Sequence, residues 1–510
     1  MPDANTKRIV KNTVMLYIRT LLIMLVSFYT TRVVLRALGV IDYGVYNVVG
    51  STVAMFSVLS GSLSSAISRF ITFELGRGNI EKLKRVFSTA ITVQLILATI
   101  IVLFAETVGL WFLNHTMDIP ANRLSAAHWV FQFSVITFVI GLVSVPYNAA
   151  IIAHEKMSAF AYIGIFEAVA KLGVAYVISR TNVDRLILYA FLLMLIAVTV
   201  RLVYGIYCRR RFEECSYRFV YDKSLLKEMA SFAGWNFIGA SSAILRDQGG
   251  NIIINIFGGP VANAARGFAI QISSAIQSFV QNFMTALNPQ ITKSYASGDH
   301  DYMMSLIFRG ARFSYYILLL LSLPVIINAD YILTLWLVDV PAHTVSFVQL
   351  VLIFALSESL ANPLVTTMLA TGKIRNYQLV VGGLQMLNLP ISYILLRNGG
   401  APELVFVVAI AVSVCCEMAR LYMLQGMVGL SVRAFLYKVY FNVITVTIVA
   451  SLLPLLQLAM QPDGLMGFLL NCVCCVGCTS LSIFFVGCNR NERKLLTSKL
   501  RTLTHKLLNV

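Results

Sequence analysis

Long apolar windows separated by short polar breaks fill this chain from end to end. The windows fall at residues 13–38, 43–67, 86–113, 129–153, 160–178, 186–207, 232–257, 268–290, 313–337, 345–370, 377–396, 404–424, 435–458 and 465–486. Each is about 20 residues or longer, enough to cross a hydrocarbon core of roughly 30 Å as a helix. None shows the strict apolar-polar alternation of a barrel strand. The pattern therefore predicts an all-α polytopic membrane protein of about 14 transmembrane helices.

Composition agrees: hydrophobic residues make up 58% of the chain, charged residues 12%, and mean hydropathy is +0.79, which excludes a water-soluble fold. A net charge of +17 would suggest nucleic acid in a soluble protein. Here the basic residues are sided. Lys7, Arg8 and Lys11, the Arg77 to Arg85 and Arg209 to Lys227 loops, and the tail from Arg490 to Lys506 share one side; the other holds only Arg123, Arg180, Arg185, Arg266 and Arg397. The positive-inside rule then makes both termini cytoplasmic, and nucleic acid drops out as a partner. The first window lacks a small-residue cleavage site and reads as a retained span.

An internal repeat organises the rest. Sliding the chain along itself until Gly39, after the first window, falls on Gly259, after the seventh, also lays Ile71, Thr72 and Gly78 on Ile291, Thr292 and Gly298. Two pseudo-symmetric six-helix lobes of the same orientation follow, plus a C-terminal helix pair. The expected domains are an N-lobe (residues 1–207, spans 1 to 6), a basic cytoplasmic interlobe loop (208–231) and a C-lobe (232–424, spans 7 to 12). Spans 13 and 14 (425–488) and a basic cytoplasmic tail (489–510) complete the chain.

Charges inside a bilayer are costly, about 2.5 to 3.5 kcal/mol each on insertion scales, so each needs a reason. Arg246 and Asp247 sit near the middle of span 7, about 20 Å from either end, in the Gly-interrupted run Arg246-Asp-Gln-Gly-Gly-Asn251. Span 8 carries a polar stripe, Gln271, Ser274, Ser278, Gln281, Thr285 and Asn288, spaced by threes and fours on one helical face. Such a face looks at water, at ligand or at another polar helix. Glu167 and Lys171, and Glu417 and Arg420, have the spacing of ion pairs within one helix. Arg32 and Arg36 stand near the outer end of span 1. Glu106 and Glu358 have no cation nearby in sequence, which makes them candidate proton or sodium sites.

Enzyme signatures are missing: no G-x-x-x-x-G-K-[ST] phosphate loop occurs, and the six histidines lack ligand spacing. Cys472, Cys474, Cys475 and Cys478 lie in an apolar run without His or carboxylate, so they read as small buried residues; neither a metal nor a cofactor is expected.

Arg36-Ala-Leu-Gly39 followed by Tyr43-Gly-Val-Tyr46 resembles the R-x-L-G-x-x-x-[FY]-G-x-Y signature at the first outer turn of bacterial polysaccharide (O-antigen) flippases. These belong to the multidrug/oligosaccharidyl-lipid/polysaccharide exporter superfamily. Arg69-Phe70 and Pro289 fit the same family. The resemblance implies a two-lobe fold working by alternating access in the inner membrane on a polyprenyl-diphosphate-linked oligosaccharide. It also implies possible association with polysaccharide polymerase machinery. In that setting Arg246, Asp247, Asn251, Arg32 and Arg36 would bind substrate, together with Gln271, Ser274, Ser278, Gln281 and Thr285 from the polar stripe. The alternatives are a multidrug/cation antiporter of the same superfamily and, ranked third, a membrane-embedded glycan-transferring enzyme.

Overall fold

The structure, a computed structural model, describes residues 2–54, 57–115, 119–181, 183–219, 222–337, 340–458, 464–490, 492–494 and 497. The expected basic tail residues Lys499, Arg501 and Lys506 lie outside the described residues. Among those described, every regular element is a helix.

Fourteen helical spans follow in order. Span 1 and span 2 meet at Gly39, within Pro2–Ala54, and span 2 continues through Ser57–Arg77. Spans 3 to 6 are Ile80–His115, Leu124–Ala153, Met157–Ser179 and Arg185–Arg211. Spans 7 and 8 form one helical run, Lys223–Ser297, turned at Gly259. Spans 9 to 14 are His300–Ile327 (extended by Ala329–Leu337), Thr344–Thr371, Arg375–Arg397, Leu404–Val428, Val432–Gln457 and Leu465–Gly487. Eleven of these are long and apolar enough to cross a membrane. Spans 7 and 8 carry too many polar groups for that measure, and span 8 owes its polarity to the stripe; span 2 runs across residues 55 and 56, which lie outside the described residues.

Local chemistry sets the ends. Asn79, Asp184, Asp222 and Ser431 precede spans 3, 6, 7 and 13, and each side chain accepts a hydrogen bond from an amide of the first turn. Gly39 (φ 78°, ψ 169°) and Gly259 (φ 69°, ψ −172°) hold a backbone conformation that is essentially glycine's alone. Gly78 and Gly298, at φ 72° and 78°, turn spans 2 and 8 into spans 3 and 9. The sequence repeat is thus a repeat of backbone geometry.

The chain divides into two compact units: residues 1–241 with 285–299, and residues 242–284 with 300–510. In the first, Val34, Ala37, Val174, Ala175 and Ile178 join spans 1 and 5, and Val49, Ala105, Val130, Phe131 and Ala190 join spans 2, 3, 4 and 6. In the second, Ile254, Ala265, Ala269, Leu333, Phe347, Leu352 and Phe406 build one core from spans 7 to 10 and 12. Small residues at these seams let helix backbones approach where no hydrophobic effect drives association. Large apolar side chains such as Leu25, Leu103, Ile256 and Val473 face outward, as lipid contact requires.

Among the described residues three π-turns interrupt the spans, at Ala105–Gly109, Leu436–Phe441 and Ile483–Gly487. Each shifts the helix register and re-aims the side chains around it.

Candidate functional site

Within the second unit, spans 8, 9 and 10 enclose a cavity of about 370 Å³. Ser274, Ser278 and Gln281 of the stripe line it, with Gln277 beside them. Span 10 supplies Glu358, Ser359 and Asn362 to the opposite wall. Glu358 Oε1 accepts a hydrogen bond of 2.6 Å from Ser413 of span 12, whose hydroxyl lies 3.2 Å from that of Ser357. Pro363, one residue past Asn362, has no N–H to give the carbonyl of Ser359 four residues back, so helix polarity opens at this wall. Hydroxyls, amides and one carboxylate therefore converge on a space large enough for several waters or a sugar ring.

Arg246 does not line this cavity. Its Nε meets Asp247 Oδ1 at 3.0 Å, and its guanidinium lies 5.1 Å from the ring centroid of Phe354, one turn before Glu358 on span 10. Arg266 Nη2 donates to the carbonyl of Asp247 at 2.7 Å. Arg420 lies within electrostatic reach of Glu358, and Cys416 within reach of Arg420, Glu358 and Arg246. Glu358, without a cation in its own helix, thus has Arg420 of span 12 within electrostatic reach.

The Gly-Gly of the Arg246–Asn251 run does not interrupt span 7, which is helical throughout. A Cβ on Gly249 would come within 2.3 Å of Leu389 Cδ2, so this glycine admits span 11 rather than opening a site. Glu417 and Arg420 do not pair directly either: Glu417 accepts from the Tyr440 hydroxyl and Arg420 interacts with Tyr377.

Elsewhere the expected site residues disperse. Gln271 is exposed, and Thr285 belongs to the first unit. Asn251 is half-buried in span 7, and Arg32 and Arg36 are exposed on span 1. Glu106 is exposed on the span 3 π-turn and accepts from Gln132 Nε2 at 3.1 Å. The first unit has its own cavity, about 430 Å³, lined by Tyr46, Thr137, Tyr189 and the ion pair of Glu167 with Lys171, 2.6 Å apart. Beside it Arg19 stacks 4.5 Å over Phe160, in space left by Gly164.

With this geometry in hand, the family model described as polysaccharide biosynthesis protein matches residues 9–295. The chain belongs to that family. This member is also 20% identical, over 322 residues, to the uncharacterized membrane protein EpsK of Bacillus subtilis (strain 168); the match spans 62% of this chain and 63% of that relative. Solved structures share its fold. An outward-facing multidrug resistance MATE family transporter of the MOP superfamily superposes with a TM-score of 0.72 at 12% identity, covering 83% of this chain and 96% of that one. A MOP superfamily transporter from Pyrococcus furiosus, described as having a binding pocket of reversed polarity, gives 0.68 at 12% identity over 83% and 96%. The MATE transporter ClbM in complex with Rb+ gives 0.66 at 14% over 84% and 96%. This polysaccharide biosynthesis protein is a multi-pass membrane protein that shares its fold with those solved transporters.

Sequence reasoning missed Gln277, Asn362 and Ser413. Gln277 lies one residue off the stripe, and Asn362 is marked only by the proline after it.

Proposed function

We propose that this protein is a flippase that carries a polyprenyl-diphosphate-linked oligosaccharide across the bacterial cytoplasmic membrane by alternating access, with both termini in the cytoplasm. One observation carries the reading: the cavity wall of Ser274, Gln277, Ser278, Gln281 and Asn362 offers amides and hydroxyls, the groups that sugar hydroxyls pair with, at membrane depth. Arg246, whose guanidinium lies over Phe354, one turn before Glu358 on span 10, is the cation for the diphosphate, because a planar guanidinium grips phosphate through two parallel hydrogen bonds. Glu358 is then the ion-coupling group. The lipid tail remains in the bilayer.

The test is a deletion strain, with the lipid-linked repeat unit assayed by leaflet and the glycan by mass. Accumulation on the cytoplasmic side, cured by the wild-type gene, supports the reading; normal export without the protein sinks it. Arg246→Ala should nearly abolish export and Arg246→Lys should retain part of it. Recovery in the Arg246→Ala, Asp247→Ala double variant would instead make Arg246 the structural partner of Asp247.

A second reading, a cation-coupled multidrug antiporter, is favoured by Glu358 in the cavity and by the fold shared with multidrug transporters. It predicts drug efflux that Glu358→Gln removes and intact surface glycan in the deletion strain.

A further inference from the structure

Spans 9, 13 and 14 end together on the membrane face that carries the basic loops, and there the second unit holds a cavity of about 610 Å³. Arg309 and Arg312 from the start of span 9, and Lys438 and Phe441 from the start of span 13, form much of its wall. Among the described residues one carboxylate answers two of these three cations. Glu492, 7% exposed, receives Arg312 Nη2 at 2.7 Å and Arg309 Nε at 3.5 Å, which leaves an excess of two positive charges. Arg312 is itself 5% exposed and gives Nη1 to the Gly487 carbonyl at 2.8 Å. Its Nε is buried without an acceptor among the described residues, an unmet donor in the wall of a basic cavity.

An apolar track leaves the same place. Tyr437, Phe441, Ile444 and Ile448 recur at intervals of four, three and four on span 13, all exposed, so they form one outward face running into the membrane segment. The π-turn Leu436–Phe441 aligns its head: the Tyr437 and Phe441 rings stack at 5.7 Å with 6° between their planes. Aromatic rings at the end of a span favour the head-group level of a bilayer.

We propose that this cavity is a binding site for an anionic phospholipid. The phosphate sits among Arg309, Lys438 and the Arg312 Nε, and one acyl chain follows Phe441, Ile444 and Ile448. A soluble phosphate would use the cations alone. The apolar track that starts among them selects an amphiphile, and basic pockets at the inner ends of spans are suited to anionic head groups.

The experiment uses full-length protein, delipidated in neutral detergent and titrated with dioleoylphosphatidylglycerol or dioleoylphosphatidylcholine under native mass spectrometry. Phosphatidylglycerol should bind selectively. Arg309→Gln and Lys438→Gln should each weaken it about fivefold, and the pair about 25-fold. Ile444→Ser should weaken it further, while millimolar inorganic phosphate should not displace it. Both cations and Ile444 are exposed enough to change without unfolding the protein, which unchanged thermal unfolding in lipid-free detergent verifies; Arg312 and Glu492 stay intact because they anchor the end of span 14. Equal retention of the two lipids, or an unaffected double variant, overturns the proposal. Displacement by inorganic phosphate, or indifference to Ile444→Ser, overturns the lipid and assigns the cations to a soluble anion.

Discussion

In the first unit, Arg123 between spans 3 and 4 is clamped to Asp184 before span 6, with Nη1 at 2.8 Å from Oδ2, and to Asp42 at the turn between spans 1 and 2. In the second unit, at the position the repeat makes equivalent, His343 between spans 9 and 10 meets Glu403 before span 12 at 2.6 Å, and Ser346 bonds the same carboxylate at 2.9 Å. The first clamp joins three loops on the face opposite the basic loops, and the second joins two. The first uses an always-charged fork held by two acids; the second uses an imidazole, charged only when protonated, and one acid. The cavities differ in the complementary sense. Glu167 and Lys171 neutralise each other inside the first, whereas in the second Glu358 has a hydroxyl partner and Arg420 of another helix within electrostatic reach. The lobe whose clamp is heavily charged has a neutralised ion pair in its cavity, and the lobe with the lighter clamp has a carboxylate held by a hydroxyl in its own.

Breaking the heavier clamp should have the largest effect. Arg123→Ala leaves Asp42 and Asp184 facing each other, and should cost about 3 kcal/mol in unfolding experiments; the low end for removing one partner of a buried charge network applies, because Arg123 is 22% exposed. Asp42→Asn together with Arg123→Ala should recover part of that loss. If Arg123→Ala unfolds like wild type, the clamp is ornamental and the comparison between lobes fails.

The glycine repeat gives a matched pair of smaller tests. At Gly39 and at Gly259 an added Cβ meets nothing within 4 Å, so Gly39→Ala and Gly259→Ala act through backbone strain alone. Each should cost about 2 kcal/mol, and the two values should agree within error. Unequal costs would mean that the lobes do not share this hinge geometry. Gly249 tests where the lobes part. Its equivalent in the first lobe is Tyr29, whose hydroxyl bonds that of Tyr176 at 2.7 Å, whereas Gly249 admits Leu389. Gly249→Ala should cost about 1 to 2 kcal/mol from overpacking, and the double change with Leu389→Ala should regain most of the overpacking term.

These positions also show what was legible in the sequence. Glycine at a special φ advertises itself, so the hinges and the repeat were visible, and so were the spans and the three-four rhythm of the Ser274–Gln281 stripe. Glu358 was visible as a costly intramembrane carboxylate, but Ser413 lies 55 residues away and nothing local ties them. The Arg123–His343 correspondence escaped because the residues share a role and a position but no identity, while the acids Asp184 and Glu403 are offset by one residue in the repeat. The Gly249-Gly250 pair misled for the opposite reason: glycine permits a helix break and a close helix contact equally, and only the neighbour, Leu389, decides between them.

The smallest effect expected belongs to the lighter clamp, and pH separates it from the heavier one. Partial burial opposes the Glu403 charge, yet hydrogen bonds from His343, a backbone amide and Ser346 prevail and hold this carboxyl below the usual range. Asp184 is likewise depressed: burial opposes its charge, and Arg123 with the amides of Ile187 and Leu186 overcomes it. A carboxyl depressed on folding contributes stability above its unfolded pKa, and that contribution is lost as pH falls through the folded value. Acid should therefore weaken both clamps through their carboxylates. His343→Asn keeps a residue that tolerates the φ of 69° found there, so it removes the ring with little backbone strain. At neutral pH it should cost about 0.5 kcal/mol, the value of a part-exposed pair. It should also move the acid loss of stability toward higher pH, whereas Glu403→Gln should remove this clamp's share of the pH dependence altogether. Asp184, held by a cation that never titrates in this range, should give the same acid profile in wild type and in His343→Asn. If the acid profile of His343→Asn matches that of wild type, Ser346 and the backbone amide hold Glu403 without the ring, and His343 is a left-handed cap on span 10, not the counterpart of Arg123.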